Sequence, residues 1–251
     1  MKLLFTSLLL CALASAQAPA QKAAPTKAAT PATPPAATKA APPAAPKAAG
    51  PNLMDPSTLR ARAPEEFNVR LTTNKGAILI HVTRAWAPNG ADHFYNLVRA
   101  GFYNDASFFR VVPGFMVQFG ISANPAASKV WSNNNIQDDP VRQSNKPGFV
   151  TYAQTSLPNS RSTQLFINYG DNGFLDSMRF APFGQVIEGM EVATAINAEY
   201  REQPDQGRLT AEGKAYVDKN YPRLDRIVSA VVVPIAAPAP AGGTPAADTK
   251  K

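Results

Sequence analysis

The amino-acid sequence predicts a mainly β domain, a barrel of short strands with helices over its ends. Three observations carry that expectation. Two alternating segments flank a tight turn after residue 73, short strand signals follow one another between Gly, Pro, Asn and Asp clusters, and only two or three stretches have helical spacing.

Taken in order, Phe67 to Thr73 (FNVRLTT) alternates apolar and polar residues, Asn74-Lys75-Gly76 supplies a turn, and Ala77 to Thr83 (AILIHVT) returns as an antiparallel hairpin. Pro88 opens a helix in which Phe94, Leu97 and Val98 recur at helical spacing, and Gly101 ends it. Strands are expected at 107–112, 115–119, 148–153, 164–168 and 183–187, a helix over Met190 to Ala198, and a closing strand over Arg226 to Val233. Residues 199–225 form a charged insertion before that strand, with one short helix expected around Ala211 to Lys219 that lays Ala215 and Tyr216 on the barrel. The apolar residues of the insertion are too sparse to promise a second core.

Within FFRVVPGFMVQFG, residues 108–120, alternation across Pro113-Gly114 sets Phe109 and Val111 on one face and Phe108, Arg110 and Val112 on the other. An arginine in a strand ordinarily rests its stem on apolar surface and keeps its head in water. Gln118 shares a face with Met116, two positions away, and has a carbonyl oxygen able to accept from a guanidinium.

The chain ends are not globular. Residues 1–16, MKLLFTSLLLCALASA, read as a signal peptide: a basic start, an apolar run too short for a bilayer, and a small-residue cleavage site. The only cysteine, Cys11, lies inside it, and the bulky Leu10 before it argues against lipidation, so the exported chain carries no disulfide. Residues 17–50 hold 15 Ala, 8 Pro, 4 Lys and 4 Thr, a composition that cannot offset chain entropy by burial. The expected organisation is signal peptide 1–16, disordered Ala/Pro/Lys-rich spacer 17–63, folded domain 64–235 and disordered tail 236–251.

The net charge of +7 resides in those ends, because residues 64–235 carry 16 Lys+Arg against 16 Asp+Glu. A basic groove for nucleic acid is therefore not expected, and at most the spacer makes a weak contact with an anionic envelope surface. No G-x-S-x-G, G-x-G-x-x-G, phosphate loop or Cys/His cluster occurs. His81 and His93 read as structural or exposed, and Asp138-Asp139 as a solvated loop rather than a metal pair. Neither cofactor nor metal is expected.

Three blocks, FFRVVPGFMVQFG (108–120), STQLFI (162–167) and FLDSMRFAPFGQVIEGM (174–190), resemble the cyclophilin family of peptidyl-prolyl cis/trans isomerases in order and spacing. The resemblance implies a closed eight-stranded antiparallel barrel capped by two helices. It matches Arg110 to the family's catalytic arginine and Gln118 to the glutamine that braces it. Phe115, Met116, Phe166 and Leu175 match the proline pocket, and Ala153 and Gln164 the groove lining. The chain departs from the best-known eukaryotic pattern at Phe109, Gln154, Phe174 and Phe180, where a His, an Asn, a Trp and a His are common.

The implied activity, in an exported monomer acting on proline-containing periplasmic or secreted polypeptides, has a simple physical requirement. Amide resonance opposes rotation about an X-Pro bond by ~18–20 kcal/mol, and in the twisted state the proline nitrogen gains a lone pair. A donor aimed at that lone pair binds the transition state better than either ground state. The alternative is a non-catalytic cyclophilin-like module, a holdase or proline-peptide binder tethered in the cell envelope.

Overall fold

The hairpin that opens the domain forms because alternation gives it one wholly apolar face. In the computed structural model, which describes residues 51–235, β1 (Glu66–Thr73) and β2 (Gly76–Thr83) pair antiparallel with Phe67 opposite Val82, Val69 opposite Ile80 and Leu71 opposite Ile78. All six are buried in the main core. The expected signal peptide, most of the spacer and the tail lie outside the described residues.

Helix α1 (Pro88–Arg99) follows with Pro at its first turn and Ala91, Phe94, Leu97 and Val98 buried. Its own N-cap, Ala87, has no side-chain acceptor; the Asp139 carboxylate accepts from the Asn89 and Gly90 amides at 3.0 and 2.8 Å instead. Asp138 pairs with the buried Arg161. The Asp138-Asp139 pair is thus structural, not the solvated loop expected from sequence.

The remaining strands are β3 (Arg110–Val112), β4 (Met116–Phe119), β5 (Phe149–Tyr152), β6 (Leu165–Asn168), β7 (Pro182–Glu188) and β8 (Ile227–Val233). Helices α2 (Pro125–Trp131), α3 (Phe174–Ser177), α4 (Met190–Thr194), α5 (Gln206–Glu212) and α6 (Lys214–Asn220) lie between them. One antiparallel sheet runs β3-β4-β6-β5-β7-β2-β1-β8. The eight strands agree with the expectation; the closed barrel does not, since the sheet is an open half-barrel. Between the outermost strands there is only a bridge, Ser107 to Arg226, with the Phe108 amide donating to Asp225 O at 2.9 Å and the Ile227 amide to Ala106 O at 2.8 Å. The cause is local: β3 is three residues long, and its outer edge donates from Val111 N to the Arg201 carbonyl at 3.0 Å rather than to a strand.

Three further expectations are corrected. Residues 51–63, assigned to a disordered spacer, pack on the domain: Leu59 and Ala63 are buried, Trp131 Nε1 donates to Leu53 O, and the Ala63 amide donates to Asp92. Phe108 and Phe109 do not alternate with the strand; Phe108 enters the main core with Val111, while Phe109 joins the insertion. And the insertion does build a second core, because Phe109 and Ile121 of the barrel side complete Leu209, Tyr216, Val217 and Leu224. Two helices meeting at Gly213 replace the single helix expected, with Val217 rather than the exposed Ala215 accompanying Tyr216 inward.

Candidate functional site

Strand pairing sorts side chains into two rows. Arg110 on β3 lies opposite Gln118 on β4, and Gln118 opposite Phe166 on β6. One residue along, Val111, Val117, Ile167 and Val150 line up on successive strands. The pleat sends this second row into the main core and leaves the first on the outer face of the sheet.

On that outer face Met116, Phe166 and Leu175 form an apolar cluster separate from the main core, with Val112, Phe115, Ala153 and Phe180 packed around it. The cluster floors a groove of about 560 Å³, also lined by Arg110, Gln118, Gln154 and Gln164. Phe166 and Phe180 meet edge to face at 5.8 Å between ring centroids. Every residue that the resemblance assigned to the site lines this groove except Phe174. Phe174 is 59% exposed and stacks on Phe115 at 6.1 Å, because Leu175, the next residue of α3, takes the inward position.

One polar chain runs along the groove wall. Arg110 Nη1 donates to Gln118 Oε1 at 3.1 Å, and Gln118 Nε2 donates to Gln164 Oε1 at 2.8 Å. Gln118 is almost fully buried, so its amide is held with oxygen toward the guanidinium and nitrogen toward Gln164. Arg110 Nε donates in turn to Glu202 Oε1 at 2.5 Å. Gln154 turns its amide to the Met178 carbonyl at 2.8 Å, and the Ala153 amide donates to Gln164 O at 2.9 Å.

A buried asparagine network fixes the apolar walls from behind. Asn145 Nδ2 donates to Asp176 Oδ1 at 2.8 Å and to Phe180 O at 2.9 Å, and its Oδ1 accepts from Thr151 Oγ1 at 2.8 Å. Asn172 Nδ2 donates to Asn168 Oδ1 at 2.8 Å and to the Phe115 carbonyl at 2.9 Å. Burial pushes the Asp176 carboxyl up, but hydrogen bonds from Ser144 and Asn145 outweigh it and leave the group below its ordinary value. The network therefore ties Phe115, α3 and Phe180 to β5 and β6. Buried polar groups satisfied in this way rigidify the surface above them.

Sequence reasoning missed these asparagines and two residues of the insertion, Glu202 on Arg110 and Gln206 on the groove wall. The only signal for them was that a long charged insertion needs a structural reason to exist. The groove brings together a donor, a brace and an apolar floor, with the hydroxyl residues Ser132, Thr155, Ser160 and Ser162 also on its lining.

Residues 68–215 match the family described as cyclophilin type peptidyl-prolyl cis-trans isomerase/CLD. Peptidyl-prolyl cis-trans isomerase A of Dickeya dadantii is 39% identical over 141 residues, which cover 54% of this chain and 73% of that protein. Peptidyl-prolyl cis-trans isomerase B of Escherichia coli is 30% identical over 173 residues, covering 66% of this chain and 98% of the other. Among solved structures, a cyclophilin from Hirschia baltica aligns at TM-score 0.53 and 21% identity over 71% of this chain and 78% of its own, a likeness of fold. The chain belongs to the cyclophilin family of peptidyl-prolyl cis-trans isomerases and is an isomerase.

Proposed function

We propose that this isomerase seats the proline ring of its substrate on Met116, Phe166 and Leu175 beside Phe115, and that Arg110 donates to the prolyl nitrogen as the amide twists. The observation that carries the reading is the juxtaposition of a braced guanidinium with an apolar cluster on one face of the sheet. Planar amide nitrogen is a poor acceptor, so a fixed donor beside it contributes most when resonance is broken. A guanidinium suits this position because it is always charged, holds its donors in a rigid fork and is weakly hydrated. Gln118 fixes the plane of that fork, and Gln164 fixes Gln118.

The site of action is outside the cytosol: residues 1–16 direct export, the monomeric domain acts on periplasmic or secreted clients, and the basic Ala/Pro/Lys-rich segment is a spacer that makes weak contact with the envelope. Two measurements test this. The Met116 methyl resonance should shift on titration with a short Ala-Pro peptide and stay in place with Ala-Ala; equal shifts would remove the proline seat. Fractionation of cells carrying the full chain should recover it outside the cytosol with an N-terminus near Gln17, and cytosolic protein retaining Met1 would remove the export reading.

A further inference from the structure

The outer edge of β3 is covered by the insertion at two adjoining points. Val111 N donates to the Arg201 carbonyl at 3.0 Å, and the next residue, Glu202, pairs through Oε1 with both Nε and Nη2 of Arg110. Arg201 adopts a left-handed backbone, φ 47, which is uncommon outside glycine, asparagine and aspartate and persists only where surrounding structure imposes it. Here it turns the chain so that backbone and side chain of consecutive residues meet consecutive residues of β3.

The segment behind this contact is firm. Asp205 N donates to Tyr216 Oη at 3.0 Å, Tyr221 Oη donates to Gln203 O at 3.1 Å, and Tyr216 and Leu209 are buried against Phe109, the residue before Arg110. Gln206, at the start of α5, reaches the groove itself.

We propose that Glu202 is a positioning residue of the isomerase site, a carboxylate that clamps one edge of the Arg110 guanidinium while Gln118 holds the other. Two fixed edges define the plane of the group and leave one hydrogen on each terminal nitrogen for the groove. The pair is part-exposed, Arg110 at 31% and Glu202 at 58%, so water screens the carboxylate's charge and its orienting effect outweighs any neutralisation of the cation. The inference rests on Arg110 being the catalytic cation.

The test compares kcat, KM and Tm for the wild-type chain, Arg110→Ala, Glu202→Ala, Glu202→Gln and the Arg110→Ala/Glu202→Ala double variant on one X-Pro peptide, by NMR exchange at fixed salt. Glu202→Ala should lower kcat about three- to five-fold with KM unchanged and Tm lowered by no more than about 4 °C. Glu202→Gln should recover most of that loss, since its amide oxygen still accepts from Nε, and Glu202→Ala should cost nothing further once Arg110 is gone. An unchanged or raised kcat in Glu202→Ala overturns the clamp, as does an equal loss in the Arg110→Ala background, which would mark a merely structural role. Wild-type kcat in Arg110→Ala would instead bring down the reading of Arg110 itself.

Discussion

Truncating Arg110 to alanine removes the only cation lining the groove among the described residues. Loss of one donor aimed at developing charge costs ~10²–10³ in rate, about 2.7–4 kcal/mol. Arg110 is 31% exposed, so water can enter and supply part of the missing donation, and the expected loss in kcat/KM sits at the lower end, about 100-fold. Stability should change much less. The Glu202 pair is an exposed one, worth ~0–1 kcal/mol, and the buried Gln118 oxygen left without its donor adds ~1 kcal/mol. For a domain of this size that total lowers Tm by only about 2–8 °C. Arg110→Lys keeps the charge but loses the fork and the bond to Gln118, and should fall between the two. Exchange rates on a short X-Pro peptide, measured by NMR or in a protease-coupled assay at fixed salt, decide the matter. A folded Arg110→Ala variant within about twofold of wild type would refute the reasoning that a charged donor stabilises the twisted amide.

Two other outcomes follow from groups away from the groove. Burial pushes His93 from 6.5 to about 4, and its Nε2 is buried beside Trp131 and Tyr152 without a hydrogen-bond partner among the described residues. The unfolded chain therefore takes up a proton below 6.5 while the native state refuses it until about 4, so stability falls with pH across that window. The loss between pH 7 and about pH 4.5 should be about 2–3 kcal/mol, and His93→Leu, compared with wild type by urea denaturation, should abolish that portion of the slope. Parallel slopes would show that the ring is solvated. Gly213, at φ +62 and ψ −142, joins α5 to α6, and an added Cβ would meet Ala123 O at 2.3 Å and Pro125 Cδ at 2.8 Å. Gly213→Ala should destabilise the domain by about 2–4 kcal/mol, seen as a lowered Tm and as early proteolysis between α5 and α6; an unaltered Tm would mean the junction relaxes freely.

The β-rich half of the fold was legible because a period of two survives in the residues themselves. Phe67, Val69 and Leu71 alternate in the sequence and lie on one buried face in the structure, and Arg110, Gln118 and Met116 follow from the same rule. Helix α2 was not read although Asn124 caps it and Pro125 starts it, since seven residues give too little apolar periodicity to separate a helix from a loop. Phe109 was misassigned because the bridge Ser107 to Arg226 and the strand beginning at Arg110 belong to different stretches of pleat, and alternation does not carry across the break. The closed barrel failed at the same place.

The polar half of the site depends on partners far apart in the chain, and no local pattern announces them. In the insertion, Arg208 and Lys214 pair four residues on with Glu212 and Asp218, and Glu199 pairs with Arg223, the ordinary behaviour of a solvated charged stretch. Glu202 alone among these carboxylates reaches out of the segment to the groove, 92 residues from its partner. Nothing in its neighbours distinguishes it, because its direction is set by the left-handed turn at Arg201 and by the cluster of Phe109, Leu209 and Tyr216 beneath it. That arrangement also answers why an arginine stands in an apolar strand. A snorkelling side chain would end in water with no fixed direction, whereas the Arg110 head is gripped from β4 by Gln118 and from the insertion by Glu202. A guanidinium held at both edges above an apolar floor is oriented before any substrate arrives, and in a reaction with no covalent step such preorganisation is the main contribution a protein can make.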